Sequence, residues 1–302
     1  MNNLDLLDAI IELRSIKSIQ SNFLDKEIDP DGRLRTSYSL VETGRLSSHE
    51  DELGGGTHLQ NVPPSLRKMF VPDKGYILVE LDKKQGEAMI VAWLAGEERQ
   101  KAVFKGGGDI HAFNAKNLGT DRQFAKTRTH GWNYGLGRHK KKIKTIEDQA
   151  REKYFQTYPR LESWQRSVIQ EVAKYRKLTN PFGRKRIFFG RVEWELDEFR
   201  KPIRPKFNET MTEAIAFLGQ STLVDDVNRG MIELFHRGER RLMILHQGHD
   251  SVLWQAKPED VEWSVRVGRE CLEKKFVCGG DVLTIPVEAK VGENWGEMKE
   301  VK

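Results

Sequence analysis

Apolar and polar positions recur along this chain at two periods, and the switches between them mark out its elements. Over Leu4 to Ile19 the apolar residues Leu6, Leu7, Ile10, Ile11, Leu13 and Ile16 keep helical spacing, which predicts an amphipathic helix. Asp29-Pro30-Asp31-Gly32 reads as a turn, and Arg33 to Leu40 alternates like a strand. A β-prone run, Tyr76 to Leu81, climbs to Asp82; after it, Ala88 to Ala95 reads as a helix that ends at Gly96. Beyond Gly106-Gly107-Gly108, Asp109 is placed to cap another helix. The next helical stretch, Arg122 to Tyr134, breaks at Tyr134-Gly135-Leu136-Gly137. Residues 147 to 175 look helical with an interruption at Tyr158-Pro159, and Thr179 to Arg186 reads as a turn leading to the strand-like Ile187-Phe188-Phe189. A long helix is predicted from Thr210 to Phe235, with Thr210 and Glu213 at capping-box spacing. Two β-prone runs, Leu242 to Leu245 and Val252 to Gln255, are joined by the tight link Gln247-Gly248-His249-Asp250-Ser251. A helix from Pro258 to Lys275 and a strand from Val282 to Val291 follow, and no repeat or low-complexity segment intervenes.

Composition narrows the class. Of 302 residues, 38% are apolar and 31% charged, enough for a core under a strongly charged surface in one large or two to three small domains. Fifty basic residues nearly balance 45 acidic ones, so the net charge of +5 is modest and any polyanion site has to come from local clustering. The 7 Trp, 14 Phe and 6 Tyr suit base or sugar stacking and suit a core equally. Cys271 and Cys278 match no metal signature and allow at most one bridge, so free thiols in a reducing cytoplasm are expected. The segment Met1 to Asp5 lacks the features of a signal peptide, and the longest apolar stretch, around residue 90, is too short to span a bilayer. A cytoplasmic protein with no membrane partner is the expectation.

Several stretches could carry chemistry. Asp82 at a strand tip and Glu87 at the mouth of a helix could hold a divalent cation, and a strand-end aspartate could equally do no more than cap the helix. Arg122, Lys126 and His130 recur every four residues and share one helix face, which suits a triphosphate and suits a solvated face as well. Arg138-His139-Lys140-Lys141-Lys142 is dense enough to track a nucleic-acid backbone. Arg45, Ser47, Ser48, Gln60 and Asn61 can grip phosphate and sugar edges or tie loops together. Gln220 lies among apolar neighbours, where a buried helix–helix hydrogen bond is the plain account; Asp250 follows a His between two apolar strands, an unusual place for a turn aspartate.

Taken in order, these residues resemble the polymerase domain of the family A DNA polymerases, the group of bacterial DNA polymerase I and its phage relatives. Asp82 to Glu87 is similar to motif A, Arg122 to Gly135 to motif B, and His249-Asp250-Ser251 to motif C. Thr43 to Ser48, Leu59 to Pro63, Asp109-Ile110-His111, Pro181 to Arg186, Gly219 to Thr222 and Val291 to Trp295 agree with the flanks, so the likeness covers nearly the whole chain. It implies an α+β right-hand fold of palm and fingers, with an antiparallel palm sheet and most of the thumb missing. The implied boundaries are a thumb remnant at 1–28, palm at 29–107, fingers at 108–205 and the rest of the palm at 206–302.

The resemblance also implies template-directed DNA synthesis from dNTPs on a primer–template. Asp82 and Asp250, with the backbone carbonyl of Lys83, would bind two Mg²⁺ ions, for which Mn²⁺ can substitute; Lys126 joins the two acids as a catalytic residue. Gln85, Glu87, His111, Arg122, Lys126, His130 and Tyr134 are implied around the dNTP, with Arg122, Lys126 and His111 neutralising the triphosphate and Glu87 excluding a 2′-hydroxyl. Arg45, Gln60, Asn61, Gln220 and His249 fall at DNA-contacting positions. Departures from the family pattern are Lys83-Lys84 after the motif A aspartate, Met89 for an arginine, His130 for an aromatic residue and Ser251 for a glutamate. A separate polypeptide supplying thumb and exonuclease is a further expectation, with weak DNA retention in its absence. The alternatives are a single-subunit RNA polymerase-like enzyme and an inactive primer–template-binding relative.

Overall fold

The computed structural model describes residues 3–52, 55–136, 145–206 and 208–301. Helix α1 (Asn3–Ile19) forms where the spacing predicts it, but its apolar stripe is not buried: Leu6, Leu7, Ile10, Ile11, Leu13 and Ile16 are 39–57% exposed. Strands β1 (Ser37–Leu40) and β2 (Leu46–His49) make an antiparallel hairpin. β1 is shorter than the alternation suggests, because the Arg35 guanidinium bonds Asp29 and Asp31 and keeps 33–36 with the preceding turn. Strand β3 (Ile77–Lys83) leads to α2 (Gly86–Ala95), entered through Gln85 at φ 53° and closed by Gly96 in the left-handed region at φ 63°.

The helices that follow are capped by their own side chains. After α3 (Glu98–Lys105), Asp109 accepts from the N–H groups of His111 and Ala112 at the start of α4 (Ile110–Leu118). Asp121 caps α5 (Arg122–Asn133), Thr145 and Asp148 form a capping box on α6 (Ile146–Thr157), and Pro159 opens α7 (Pro159–Tyr175). The basic run Arg138 to Lys142 lies outside the described residues.

Other boundaries also differ from the sequence pattern. Residues 177–187 form a hairpin of β4 (Lys177–Thr179) and β5 (Lys185–Ile187) around Asn180, whose carbonyl Oδ1 accepts from the N–H groups of Phe182 and Arg184; Phe188 leaves the strand for the core. A second hairpin, β6 (Glu193–Leu196) with β7 (Pro202–Lys206), carries no clean alternation and was not expected. Helix α8 (Glu209–Arg237) is capped by Asn208, which accepts from Met211 N–H, and not by Thr210; Glu213 is instead bonded to Arg186.

The hairpin of β8 (Leu242–Gln247) and β9 (Ser251–Ala256) is tied by Gly248 N–H donating to Ser251 O, with a bulge between Ile244 and His246. Helix α9 (Val261–Leu272) follows a short 3₁₀ turn at Pro258–Asp260. The expected strand over 282–291 is two strands, because Pro286 removes a donor from its middle. β11 (Asp281–Leu283) pairs with β10 (Phe276–Cys278), while β12 (Val287–Gly292) pairs with β13 (Lys299–Val301). Cys271 and Cys278 are free and buried.

The chain divides into two compact units. The first combines residues 1–81, 238–265 and 289–302 around a five-stranded sheet of order β13-β12-β3-β9-β8. On one face of this sheet Leu78 and Leu253 pack with Leu59, Val62 and Trp295. On the other face of β9, Val252, Trp254 and Ala256 are fully buried, and the Trp254 indole donates to Ser264 Oγ at 3.2 Å.

The second unit, residues 82–237 and 266–288, is mainly helical. Its core joins Trp132, Tyr154, Tyr158, Leu161, Ile169 and Phe217. Several buried polar groups there are bonded: Tyr154 donates to Asn133 Oδ1 at 2.7 Å, and Gln165 Nε2 donates to the last carbonyls of α5, Trp132 O at 2.9 Å and Asn133 O at 2.6 Å, whereas the Trp132 indole N–H has no partner among the described residues.

Candidate active site

In the second unit, seven of the expected residues gather around the starts of α2 and α4 and one face of α5. Asp82, partly buried in β3, opens this unit. The next residue, Lys83, turns its side chain the other way, as strand alternation requires, and buries it: Nζ donates to Asp226 Oδ2 at 2.6 Å and also to Leu272 O. Burial pushes the Lys83 ammonium down and the Asp226 carboxyl up, against the attraction between them. Lys84 stays exposed, ion-paired with Glu288 at 2.8 Å, and its N–H donates to Pro286 O. The unusual lysine pair after Asp82 is therefore structural: each anchors the end of β3 to a later part of the chain.

Gln85 is committed to the scaffold. Its Oε1 accepts Ile110 N–H at 2.9 Å and its Nε2 reaches Gly108 O at 3.5 Å, fixing the start of α4. Glu87 accepts a hydrogen bond from the Tyr134 hydroxyl, and His130 Nε2 lies 3.8 Å from the same carboxylate oxygen. The His130 and Tyr134 rings meet edge to face at 4.9 Å. Tyr134 can seat here because residue 219 is glycine; a Cβ there would fall 2.8 Å from the tyrosine oxygen.

Arg122, Lys126 and His130 are exposed on one side of α5, as their spacing predicts, while Ala125, Thr129 and Trp132 are buried on the other. Arg122 is paired with Asp109 at 2.7 Å. Burial works to raise the Asp109 pKa, but the bonds from Arg122 and from the N–H groups of Ala112 and His111 outweigh it and hold the carboxyl low. His111 is 8% exposed, and its Nδ1 has no hydrogen-bond partner. Burial, reinforced by Lys126, Arg122 and His130 against the pull of Asp109, takes it down to about 4. At neutral pH the His111 ring is therefore uncharged in this structure. Gln220, on α8, is partly exposed and makes no side-chain hydrogen bond among the described residues, so the helix–helix bond considered for it is not made.

In the first unit, Asp250 and His249 occupy the link between β8 and β9, Asp250 partly buried and His249 exposed. Gln60 ties loops: Oε1 accepts Ser48 N–H at 3.0 Å and Nε2 donates to Gln247 O at 3.0 Å. Its neighbour Asn61 is exposed, and Arg45 follows the β1–β2 turn, partly buried. His246 is buried, shares a hydrogen bond of 2.6 Å between its Nδ1 and the Tyr38 hydroxyl, and packs on Trp295. Burial, with Arg67 and His249 nearby, lowers it to about 4. His246, Tyr38 and Asp226 were not singled out by sequence reasoning; no local pattern marks them, since each acts through a partner far along the chain.

Asp82 and Asp250 offer hard oxygen donors, the type that suits Mg²⁺. Among the described residues no group of three or more His, Cys, Asp or Glu side chains could hold a metal ion by itself. That fits Mg²⁺, which takes one or two carboxylates and completes its shell with water and substrate phosphates. No helix among the described residues is long and apolar enough to cross a membrane.

The α+β architecture with its antiparallel sheet is that of a polymerase domain. The chain is similar to the POL domain of Pol1 from M. smegmatis in complex with DNA primer-template and dNTP, with a TM-score of 0.78 and 24% identity over 97% of this chain and 53% of that one. The family model of DNA polymerase family A matches residues 1–297, and the chain belongs to that family. It is similar to the thermostable DNA polymerase I of Thermus aquaticus (29% identical, covering 98% of this chain and 37% of that protein). It is also similar to DNA polymerase I of Chloroflexus aurantiacus (27% identical, covering 96% and 32%). The chain thus spans about a third of the length of these curated relatives.

Proposed function

We propose that this chain carries out template-directed DNA synthesis, adding dNTPs to a primer 3′-hydroxyl, with Asp82 and Asp250 as the acids that hold the metal. The observation that carries this reading is the strand order. β3, which bears Asp82, is the neighbour of β9, which Asp250 immediately precedes, in a chain belonging to family A. Two Mg²⁺ ions held by these carboxylates and the Lys83 carbonyl, with Mn²⁺ able to substitute, would supply Lewis-acid activation of the hydroxyl and charge compensation at the leaving pyrophosphate.

The chain's own residues do the positioning. Lys126 and Arg122 present positive charge along one side of α5, where phosphoryl transfer needs neutralisation of the triphosphate. His111, neutral and with an open Nδ1, is suited to hydrogen-bond a phosphate oxygen or hydroxyl without adding charge. Glu87, locked by Tyr134, forms a fixed wall suited to exclude a 2′-hydroxyl. Arg45, Asn61, Gln220 and His249 are proposed to line the primer–template, while Gln60 and Gln85 act by holding loops.

Primer extension tests this. The parent chain is expected to extend a primed template with dNTPs and poorly with rNTPs, and Asp82→Ala and Asp250→Ala are each expected to lose at least ~100-fold in rate. Equal extension with rNTPs would favour the RNA polymerase-like alternative. Equal extension by the parent and both alanine variants would remove the assignment of the two acids.

A further inference from the structure

Large aromatic side chains left in solvent are uncommon, and the second unit sets two of them around one hollow. Tyr175 is 62% exposed and Phe189 83%, with Ile187 at 62%. With Arg176, Lys177 and Glu171, one turn earlier in α7, they line a space of about 590 Å³. The pleat explains the arrangement. Lys177 pairs with Ile187 and Thr179 with Lys185 across the β4–β5 hairpin, and alternation turns all four outward while Leu178 and Phe188 go to the core.

This face is held in place. Arg176, at φ 53°, donates from Nε to Phe188 O at 3.1 Å and from its terminal nitrogen to Phe189 O, while Phe188 N–H donates to Arg176 O at 2.8 Å. That clamp fixes the backbone carrying the Phe189 ring. The charges beside the rings are uncompensated: Lys174, whose ammonium sits 4.8 Å from the Tyr175 ring centre, Lys177 and Lys185 are exposed and make no ion pair among the described residues. At the turn of the hairpin Asn180 Nδ2 donates to Ser221 Oγ at 3.1 Å and Arg184 pairs with Asp225 at 2.6 Å. The hairpin is thus anchored on α8 one residue past Gln220, a position proposed above to line the primer–template.

Aromatic faces flanked by unpaired cations suit a nucleic-acid strand whose bases are free: each base has a face to lay on a ring, and the lysines match the phosphates. A duplex keeps its bases stacked inside and offers nothing to Tyr175 or Phe189. An apolar protein surface would cover the rings but bury lysines, a residue type depleted from interface cores. We propose that this hollow holds the single-stranded part of the template, the unpaired stretch 5′ to the bases being copied. Tyr175 and Phe189 stack on bases, and Lys174, Lys177 and Lys185 meet phosphates. Of the single strands available, the template overhang is the one that every primer–template carries, so the proposal rests on the reading of the chain as a template-directed polymerase.

The test is fluorescence anisotropy of the full chain with primer–templates that differ only in overhang, about 2 against about 12 nucleotides. The parent is expected to bind the long overhang more tightly. Tyr175→Ala/Phe189→Ala is expected to lose on the order of 10-fold in affinity for the long overhang and with it the preference between the two. Phe189→Trp, which keeps a stacking face, is expected to retain the preference. Lys177→Gln/Lys185→Gln is expected to flatten the dependence of log affinity on log salt by about 0.7 for each lysine removed. All four side chains are exposed, so these variants are expected to keep the parent's thermal transition; if the alanine pair does not, the lysine pair decides by the same measurement. A parent indifferent to overhang length, or aromatic and lysine variants that bind the long overhang as the parent does, would overturn the proposal. Self-association lost by the alanine pair in light scattering, with DNA binding intact, would overturn it in favour of a contact between protein copies. An overhang preference in a chain that extends no primer would sink the polymerase reading and leave a single-strand site; primer extension without the preference would do the reverse.

Discussion

Burial sets the charge of two histidines, His111 in the second unit and His246 in the first, and with it part of the acid response of the fold. Each binds a proton at pH 6.5 when unfolded and only near 4 when folded. The unfolded chain therefore takes up more protons over that interval, and the stability contributed is intact above about pH 6.5 and lost as pH falls toward 4. At about 1.4 kcal/mol per pH unit, the loss reaches at most ~3 kcal/mol for each ring. Thermal melts are expected to fall steeply between pH 6.5 and 4.5, and His246→Gln is expected to flatten that fall even if it starts lower. A variant with the parent's pH slope would show that His246 does not contribute.

Between elements, the buried Lys83–Asp226 pair links the end of β3 to the middle of α8. Replacing Lys83 by Met leaves Asp226 buried without a partner, a change expected to cost about 3–5 kcal/mol; Lys83→Met/Asp226→Leu removes both charges and is expected to regain most of it. Denaturant titrations of the three proteins check this, and a double variant no better than the single would show that the pair is not the source of the loss. The same scale shows what the sequence made legible. Local patterns located α2, α5, α7 and α8, Gly96 marked the end of α2 and Asp109 the start of α4, because those signals are local. The β4–β5 and β6–β7 hairpins escaped because their strands are three to five residues long and only half covered. Pro286 was in plain view within an apparent single strand, and its missing N–H should have divided it. Helix α1 was legible as a helix, but nothing in its periodicity tells what covers its apolar side.

For the whole molecule, motif order pointed to candidate site residues, and tertiary contacts set their surroundings. Glu87 and Tyr134 are 47 positions apart and joined by one hydrogen bond; Glu80 and Ser251 are 171 apart. No window of sequence reports such pairings.

The first unit draws its sheet from three separated stretches of chain, and β12, from the last of them, lies between β13 and β3. During synthesis β3 therefore emerges more than two hundred residues before the strand that covers one of its edges, and Trp295 arrives later still to fill the space beside Leu78. The early segment has to wait with an open edge, the condition under which strands capture the wrong neighbour. Ribosome-bound chains halted at residue 285 are expected to have residues 37–81 cut rapidly by protease, with protection only once residues 289–301 have cleared the exit tunnel. Assembly of the sheet would thus be timed by the emergence of β12 and β13.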